Sequence, residues 1–165
     1  MIQKKICMVG ASAVGKTSLV ARFVRSIFSD KYLTTVGVKI DKKTVQVLDR
    51  EVNLMLWDLA GEDEYIQLKL SYLQGSSGYF LVVDGTRRAT LDTVFELQTK
   101  VEGEIGAVPF ILLLNKSDLT DEWDLDDEAM SRISEAGWSF MKTSAKTGLN
   151  VEEAFLALTE KMIAG

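Results

Sequence analysis

One short segment near the start of the chain constrains the fold more than any other part of the sequence. Residues 10–17 have the sequence GASAVGKT, which matches the spacing G-x-x-x-x-G-K-[ST]. An apolar, β-prone run at residues 2–9 precedes the segment, and apolar residues recur every three or four positions from Lys16 onward. The order strand, glycine loop, helix is the arrangement in which backbone N–H groups and a helix N-terminus bind phosphate.

The residue types of this loop suit a phosphorylated ligand and a divalent cation. Lys16 would supply a full positive charge to the β- and γ-phosphates of a nucleotide, and the hydroxyl of Thr17 would be a ligand for Mg²⁺, which prefers oxygen. Backbone N–H groups of the loop would point at the β-phosphate. The residues predicted to bind the nucleotide here are Ala13, Val14, Gly15, Lys16, Thr17 and Ser18. The alternative is that the glycines only form a turn and that Lys16 is a solvated helix residue.

A two-stranded hairpin is predicted after the first helix. Residues 36–47 and 52–57 have strand-like patterns, and the polar pair Asp49-Arg50 between them is short enough for a tight turn. The two strands should therefore pair in antiparallel fashion.

Parallel strands are predicted in the second half of the chain. Apolar runs at residues 79–83 and 110–114 are each followed by polar residues and then by a segment with helical periodicity. This alternation is typical of parallel strands joined by crossover helices. Because no linker, repeat or low-complexity segment interrupts the pattern, residues 1–165 are predicted to form one α/β domain.

The last predicted helix starts next to Asn150. Asn150 is followed three residues later by Glu153, a spacing that predicts an N-terminal cap. The apolar face of this helix consists of Val151, Phe155, Leu158 and Met162.

Composition excludes several function classes. The chain has no histidine and a single cysteine, Cys7, which rules out Ser-His-Asp and Cys-His nucleophiles and zinc sites rich in His or Cys. A formal net charge of -5 disfavours nucleic acid, whose phosphates would be repelled. No apolar run has the length of a membrane span, no signal-peptide pattern is present, and a lone cysteine fits a reducing compartment, so we expect a cytoplasmic protein.

Later motifs distinguish among the ATPases, nucleotide kinases and GTPases that use such a phosphate loop. WDLAG at 57–61 ends the second hairpin strand, NKSD at 115–118 follows the apolar run 110–114, and SAK at 144–146 follows a short strand near Phe140. With these motifs the sequence resembles the Ras-like small GTPases, most closely the Rab family, over essentially the whole chain. The resemblance implies a P-loop NTPase fold: a six-stranded, mostly parallel sheet with one antiparallel strand and helices on both faces.

The resemblance also implies a guanine site. Asp118 would accept two hydrogen bonds from the guanine edge, which adenine cannot offer, and Asn115 would brace the base and the loop. Two lysines would lie along the ring faces, and the N–H of Ala145 would meet the guanine carbonyl. The residues that the resemblance assigns to the base are Asn115, Lys116, Asp118, Ser144, Ala145 and Lys146. Taken singly, Asp118 could be a turn residue and Asn115 a strand-end cap.

A magnesium site and two switch segments follow from the same resemblance. Thr35 would be a second hydroxyl ligand of Mg²⁺ beside Thr17, and Asp58 would hold a metal-bound water. Switch I would cover about 28–38 and switch II about 59–73, and both would change with hydrolysis to control effectors, exchange factors and activating proteins.

Three further switch residues would contact the nucleotide. Gly61 would donate its N–H to the γ-phosphate, Phe28 would pack edge-on against the base, and Tyr32 would cover the phosphates. For Phe28, core packing beneath the first helix is the alternative.

Glu62 departs from the family pattern, in which Gln usually orients the attacking water. A carboxylate about 4 Å from phosphate charge would be repelled by about 4 kcal/mol at an effective dielectric near 20, so Glu62 should turn away, take up a proton or pair with a cation. One hypothesis is slow GTP hydrolysis in which Glu62 acts as general base beside Lys16 and Gly61. The other is a nucleotide-locked scaffold with little hydrolysis. Glu62 could also be one more solvated charge in the acidic run 62–64.

The recognition surface also departs from the family. Trp57 and Tyr72 match aromatic positions of the Rab effector face, although either could fill the core. The atypical residues are Lys39, Ile40, Leu59, Glu64 and Gln74.

No built-in arginine finger is expected, because Arg87 and Arg88 follow a different strand, so efficient hydrolysis should require a partner protein. The sequence ends at Gly165 without a carboxy-terminal cysteine, so we expect no prenyl anchor in this chain.

Overall fold

The computed structural model describes residues 2–25, 38–59 and 69–164, and these form an α/β arrangement. Within these ranges the strands are β1 Ile2–Gly10, β2 Val38–Val47, β3 Arg50–Leu59, β4 Gly78–Asp84, β5 Phe110–Asn115 and β6 Phe140–Lys142. The α-helices are α1 Lys16–Arg25, α2 Ala89–Ile105, α3 Asp127–Ala136 and α4 Val151–Ile163. Short 3₁₀ helices cover Leu70–Leu73 and Thr120–Glu122.

The strands form a single mixed sheet in the order β2-β3-β1-β4-β5-β6. Strand β1 lies at the centre and pairs in parallel with both β3 and β4, and β5 and β6 continue the parallel part. Among the described strands only β2 runs antiparallel, along β3. The predicted fold class is confirmed.

The hairpin between β2 and β3 turns one residue earlier than predicted. Leu48 and Asp49 form the turn, both with positive φ (52° and 60°), and Val47 pairs with Arg50. A two-residue hairpin turn of this kind requires positive φ at both central positions, which matches the right-handed twist of the strands. Arg50 is therefore the first residue of β3, and the predicted turn at Asp49-Arg50 is wrong by one position.

Helices cover both faces of the sheet. On one face α1 and α4 meet through Phe23 and Phe155, whose rings stack with centroids 4.0 Å apart. On the other face α2 and α3 bury Leu91, Val94 and Ile133. Strand β4 is buried along its whole length, as expected for a central parallel strand covered on both faces. None of the helices in the described ranges combines the length and apolar character needed to cross a bilayer.

The start of α4 differs from the prediction. Asn150 precedes the helix but has a left-handed backbone (φ 57°), and its side chain makes no capping hydrogen bond. The side-chain amide instead donates to the carbonyl of Lys142 at 2.9 Å, so it fastens the helix start to β6. The predicted side-chain cap with Glu153 is therefore wrong, because an N-cap residue normally has extended backbone that directs its side chain at the first turn.

Candidate functional site

The sequence motifs converge at one edge of the sheet, where the parallel strands end. Gly10 closes β1, Asp84 closes β4 beside Asn115 of β5, and Asp58 lies at the end of β3. Open α/β sheets bind ligands outside the carboxyl ends of their strands, since the loops and helix N-termini meet there. The candidate site therefore lies at this edge.

The glycines of the phosphate loop are required by close contacts. A Cβ at Gly10 would stand 2.5 Å from the carbonyl oxygen of Val82, and one at Gly15 would stand 2.3 Å from the side-chain nitrogen of Asn115. Gly15 also has a φ of 103°, which side chains disfavour. These glycines let the loop lie against β4 and the Asn115 side chain, so they are more than turn residues.

Lys16 is the first residue of α1 and its side chain is buried. Its ammonium nitrogen donates to the carbonyl oxygens of Gly10 at 3.2 Å and Ala11 at 2.9 Å. Burial lowers the pKa of the Lys16 ammonium to about 8; the carboxylate of Asp58 opposes this shift, and the positive charge of Arg87 adds to it. Lys16 is therefore no solvated surface lysine, and it lies inside the loop as predicted.

Thr17 and Asp58 bring two oxygen donors together. The Thr17 hydroxyl donates to the Asp58 carboxylate with 2.5 Å between the oxygens, and Asp58 is only 1% exposed. Hydroxyl and carboxylate oxygens are the ligand types that Mg²⁺ selects. The pair fits the predicted cation site directly beside the phosphate loop.

Asn115 links the base motif to the phosphate loop. Its side-chain nitrogen donates to the carbonyl of Val14 at 2.9 Å, while its side-chain oxygen accepts from the hydroxyl of Thr143 at 3.0 Å. Asn115 is 1% exposed, so both hydrogen bonds are made in a buried environment. The hydrogen bond to Val14 joins Asn115 to the phosphate loop, and its contact with a base stays a prediction.

Four further residues that are predicted to contact the base lie together on the β5 side of the site: Asp118, Ser144, Ala145 and Lys146. The hydroxyl of Ser144 donates to the carboxylate of Asp118 at 2.8 Å and accepts from the backbone N–H of Thr147 at 3.0 Å. Ala145 is buried beside them, whereas Lys146 is exposed. The carboxylate predicted to select guanine is thus held in place by a buried serine.

Sequence reasoning missed a buried carboxylate at the end of β4. One oxygen of Asp84 accepts from the backbone N–H and hydroxyl of Thr86, and the other accepts from Arg87 Nε at 3.0 Å and Lys116 Nζ at 2.8 Å. Burial by itself raises the pKa of the Asp84 carboxyl, but the hydrogen bonds from Lys116, Thr86 and Arg87 together hold it below its usual value. The signal available in the sequence was a lone carboxylate directly after the apolar run 79–83.

Arg87 is closer to the site than predicted. Its Nη2 donates to the carbonyl of Ser12 in the phosphate loop at 2.7 Å. Arg88 lies apart from the loop, as expected, and pairs with Asp126 at 2.8 Å. Arg87 does follow a different strand, β4, but β4 is the immediate neighbour of β1 and the two following loops touch, so the Arg87 side chain reaches the phosphate loop.

Several predicted residues lie outside the described residues, and their roles stay predictions. They are Phe28, Tyr32, Thr35, Gly61 and Glu62. Of the atypical positions, Lys39 and Ile40 are exposed on β2, with 44% exposure for Ile40, whereas Leu59 is buried and does not belong to a recognition surface. The rings of Trp57 and Tyr72 lie with centroids 6.3 Å apart.

Comparisons with known proteins identify the family of this chain. The model of the Ras family matches residues 5–164. The chain is similar to Ras-related protein Rab-4 of Dictyostelium discoideum, with 35% identity over 161 residues that cover 96% of this chain and 78% of the relative. It is 34% identical to GTP-binding protein YPTM1 of Zea mays (94% and 76% covered) and 30% identical to Ras-related protein Rab-13 of Bos taurus (96% and 79% covered). The chain therefore belongs to the Ras family of small GTPases, and Rab proteins are among its relatives.

Proposed function

We propose that this protein is a GTP-binding molecular switch that hydrolyses GTP to GDP and phosphate. The observation that carries the proposal is the hydrogen bond from Asn115 to the carbonyl of Val14, which joins the base motif and the phosphate loop into one site. A nucleotide that spans both parts would be bound by its base and its phosphates at once.

The base half of the site is proposed to select guanine. Asp118, held by Ser144, accepts two hydrogen bonds from the guanine edge, and the N–H of Ala145 donates to the guanine carbonyl. Lys116 and Lys146 lie along the two ring faces, and Phe28 packs against the base edge.

The phosphate half is proposed to bind the β- and γ-phosphates. Lys16 exchanges the carbonyls of Gly10 and Ala11 for phosphate oxygens, which is favourable because the new partners carry charge. Thr17 and Asp58, with Thr35, would hold Mg²⁺, which neutralises the charge on the phosphate oxygens.

The switch segments at about 28–38 and 59–73 are proposed to report the nucleotide state to effectors and regulators. Tyr32 covers the phosphates and Gly61 donates to the γ-phosphate, so loss of that phosphate frees both segments. Glu62 orients or deprotonates the attacking water, and hydrolysis is slow without a partner protein. The single cysteine supports a reducing, cytoplasmic location for this cycle.

The base assignment is tested by denaturing the purified protein and identifying the released nucleotide, before and after incubation with GTP and Mg²⁺. Guanine nucleotide is the expected result. Adenine nucleotide in the extract would overturn the assignment.

The hydrolytic role of Glu62 is tested by single-turnover cleavage of GTP in the wild type and in Glu62→Gln. Slow but measurable cleavage by the wild type is expected. An inert wild type that becomes active as Glu62→Gln would favour the alternative, a nucleotide-locked scaffold that binds partners without cycling.

A further inference from the structure

Three consecutive carbonyls of the phosphate loop are each held by a different side chain from the neighbouring strands. The pairs are Arg87 Nη2 to Ser12 O at 2.7 Å, Lys116 Nζ to Ala13 O at 2.9 Å and Asn115 Nδ2 to Val14 O at 2.9 Å. Lys116 and Asn115 belong to the base motif, whereas Arg87 comes from the start of the segment that leads into α2. Arg87 therefore holds the loop by an additional hydrogen bond that comes from outside the base motif.

The direction of these hydrogen bonds determines where the backbone N–H groups point. In a trans peptide the C=O and the following N–H point in opposite directions, and the described residues contain no cis peptide. A carbonyl held by a side chain on one side of the loop turns the next N–H to the other side. Arg87 thereby orients the N–H of Ala13, just as Lys116 and Asn115 orient those of the two residues after it.

The backbone of Ala13, whose N–H is oriented in this way, has an unfavourable conformation. It has a φ of 71°, in the left-handed region that glycine adopts freely and that costs an L-residue about 1–2 kcal/mol. The two carbonyls on either side of its Cα, those of Ser12 and Ala13 itself, are the ones that Arg87 and Lys116 hold. The two cationic side chains thus fix both peptide planes of the strained residue.

Arg87 is itself held in place. Its Nε donates to Asp84 at 3.0 Å while its Nη2 reaches Ser12, so the two ends of one planar guanidinium connect a buried carboxylate to the loop. A lysine carries its donors on a single nitrogen, as Lys116 does where it contacts Asp84 and the Ala13 carbonyl, whereas Arg87 uses two separate nitrogens of one rigid group. The charge also acts inside the site, since it contributes to the lowered pKa of Lys16.

We propose that Arg87 is a positioning residue of the phosphate site: it holds the Ser12 carbonyl so that the N–H of Ala13 faces the β-phosphate of the bound nucleotide. The residue acts through the backbone and need not touch the nucleotide. This inference rests on the proposed function, because it assumes a guanine nucleotide with its β-phosphate in the loop.

The test compares the affinities of GDP and GMP, measured by competition against a fluorescent GDP analogue. Arg87→Ala should weaken GDP binding by about tenfold, the lower end of the range for lost supporting residues, and should change GMP binding less than about twofold. Arg87→Lys should give an intermediate loss for GDP. Arg88→Ala is the matched control, since Arg88 pairs with α3 and its neighbours, and it should leave both affinities unchanged.

Repeating the Arg87→Ala substitution in an Ala13→Gly protein tests whether Arg87 acts through the backbone of Ala13. Glycine at position 13 removes the Cβ penalty, so Arg87→Ala should weaken GDP binding less in an Ala13→Gly protein than in the wild type. An equal loss in both backgrounds would overturn the role assigned to the 12–13 peptide.

The other possible results distinguish a failure of the positioning role from a failure of the proposed function. Unchanged GDP affinity in Arg87→Ala would overturn the positioning role. Equal losses of GDP and GMP affinity would also overturn it, because they indicate general damage to the fold. Circular dichroism and the thermal midpoint would report such damage as well. A wild type that binds no guanine nucleotide would instead refute the proposed function.

Discussion

The base side and the phosphate side of the site hold their polar groups in different ways. On the base side, Asp118 and Asn115 are fixed by neutral hydroxyls, those of Ser144 and Thr143. On the phosphate side, the buried ammonium of Lys16 lies against backbone carbonyls and close to the charges of Asp58 and Arg87. Asp118 and Asn115 are therefore fixed by neutral groups, whereas Lys16 is a buried charge near other charges, and changes at these two places should differ in size, ligand preference and pH dependence.

The largest effect is expected from removing the buried charge. Lys16→Met should weaken GDP binding by at least about 100-fold, because a preorganised cation in a water-poor site is worth far more than one at the surface. Competition binding with GDP, and with guanosine as the ligand that lacks phosphate, measures the change. Guanosine binding should be almost unaffected if the two sides act separately.

The exposed Lys42→Met on β2 serves as the control for loss of one positive charge and should bind GDP normally. If Lys16→Met lowered guanosine and GDP affinity alike, the division of the site into two sides would fail.

On the base side, the largest loss of nucleotide affinity is expected from changing the carboxylate of Asp118. Asp118→Asn exchanges an acceptor for a side chain that also donates, so GDP should bind about 100-fold more weakly, as expected for two hydrogen bonds to a charged group at roughly 1.5 kcal/mol each. Xanthosine diphosphate, which carries a carbonyl where guanine has its amino group, should bind the variant better than it binds the wild type. The exposed Asp121→Asn provides the matched control.

A pH series distinguishes the two sides without altering the ligand. The pKa of Lys16 is about 8 in the folded protein and 10.5 for an ordinary lysine. Below pH 8 both states carry the charge, and its burial destabilises the fold. Between pH 8 and 10.5 the folded state has released the proton while the unfolded chain retains it, so stability relative to Lys16→Met should rise by about 1.4 kcal/mol per pH unit.

Urea unfolding of both proteins, freed of nucleotide, at several values from pH 7.5 to 9.5 measures this difference. Other titrating groups cancel because both proteins contain them. If the stability of the wild type relative to Lys16→Met stayed constant or fell as the pH rose, Lys16 would not be buried as a cation.

The sequence predicted those parts of the site that depend on local patterns. The phosphate loop and the base motif each occupy a short contiguous segment after an apolar strand, so their residue types and their place at the strand ends follow from the order along the chain. The mixed sheet was predictable for the same reason, from apolar runs and their connections.

What the sequence did not predict depends on contacts between distant segments. Arg87 reaches Ser12 only because β4 lies next to β1, and a linear sequence does not state that neighbourhood. Asp84 contacts Lys116 because of the same strand order, since β4 also lies next to β5. The spacing to Glu153 predicts that Asn150 caps α4. The turn before α4 gives Asn150 a left-handed backbone, however, and this directs its side chain to Lys142 instead.

The smallest predicted effect concerns the hydroxyl that holds the carboxylate proposed to select the base. Ser144→Ala removes the 2.8 Å hydrogen bond to Asp118 but leaves the carboxylate itself. GDP affinity should fall about fivefold, in line with about 1 kcal/mol for one net hydrogen bond, and xanthosine diphosphate should gain nothing. The exposed Ser134→Ala on α3 is the control. Because Ser144 orients Asp118 by geometry rather than by charge, the loss should be the same at pH 7 and pH 9; a loss that changed with pH would mean that the base side also depends on charge.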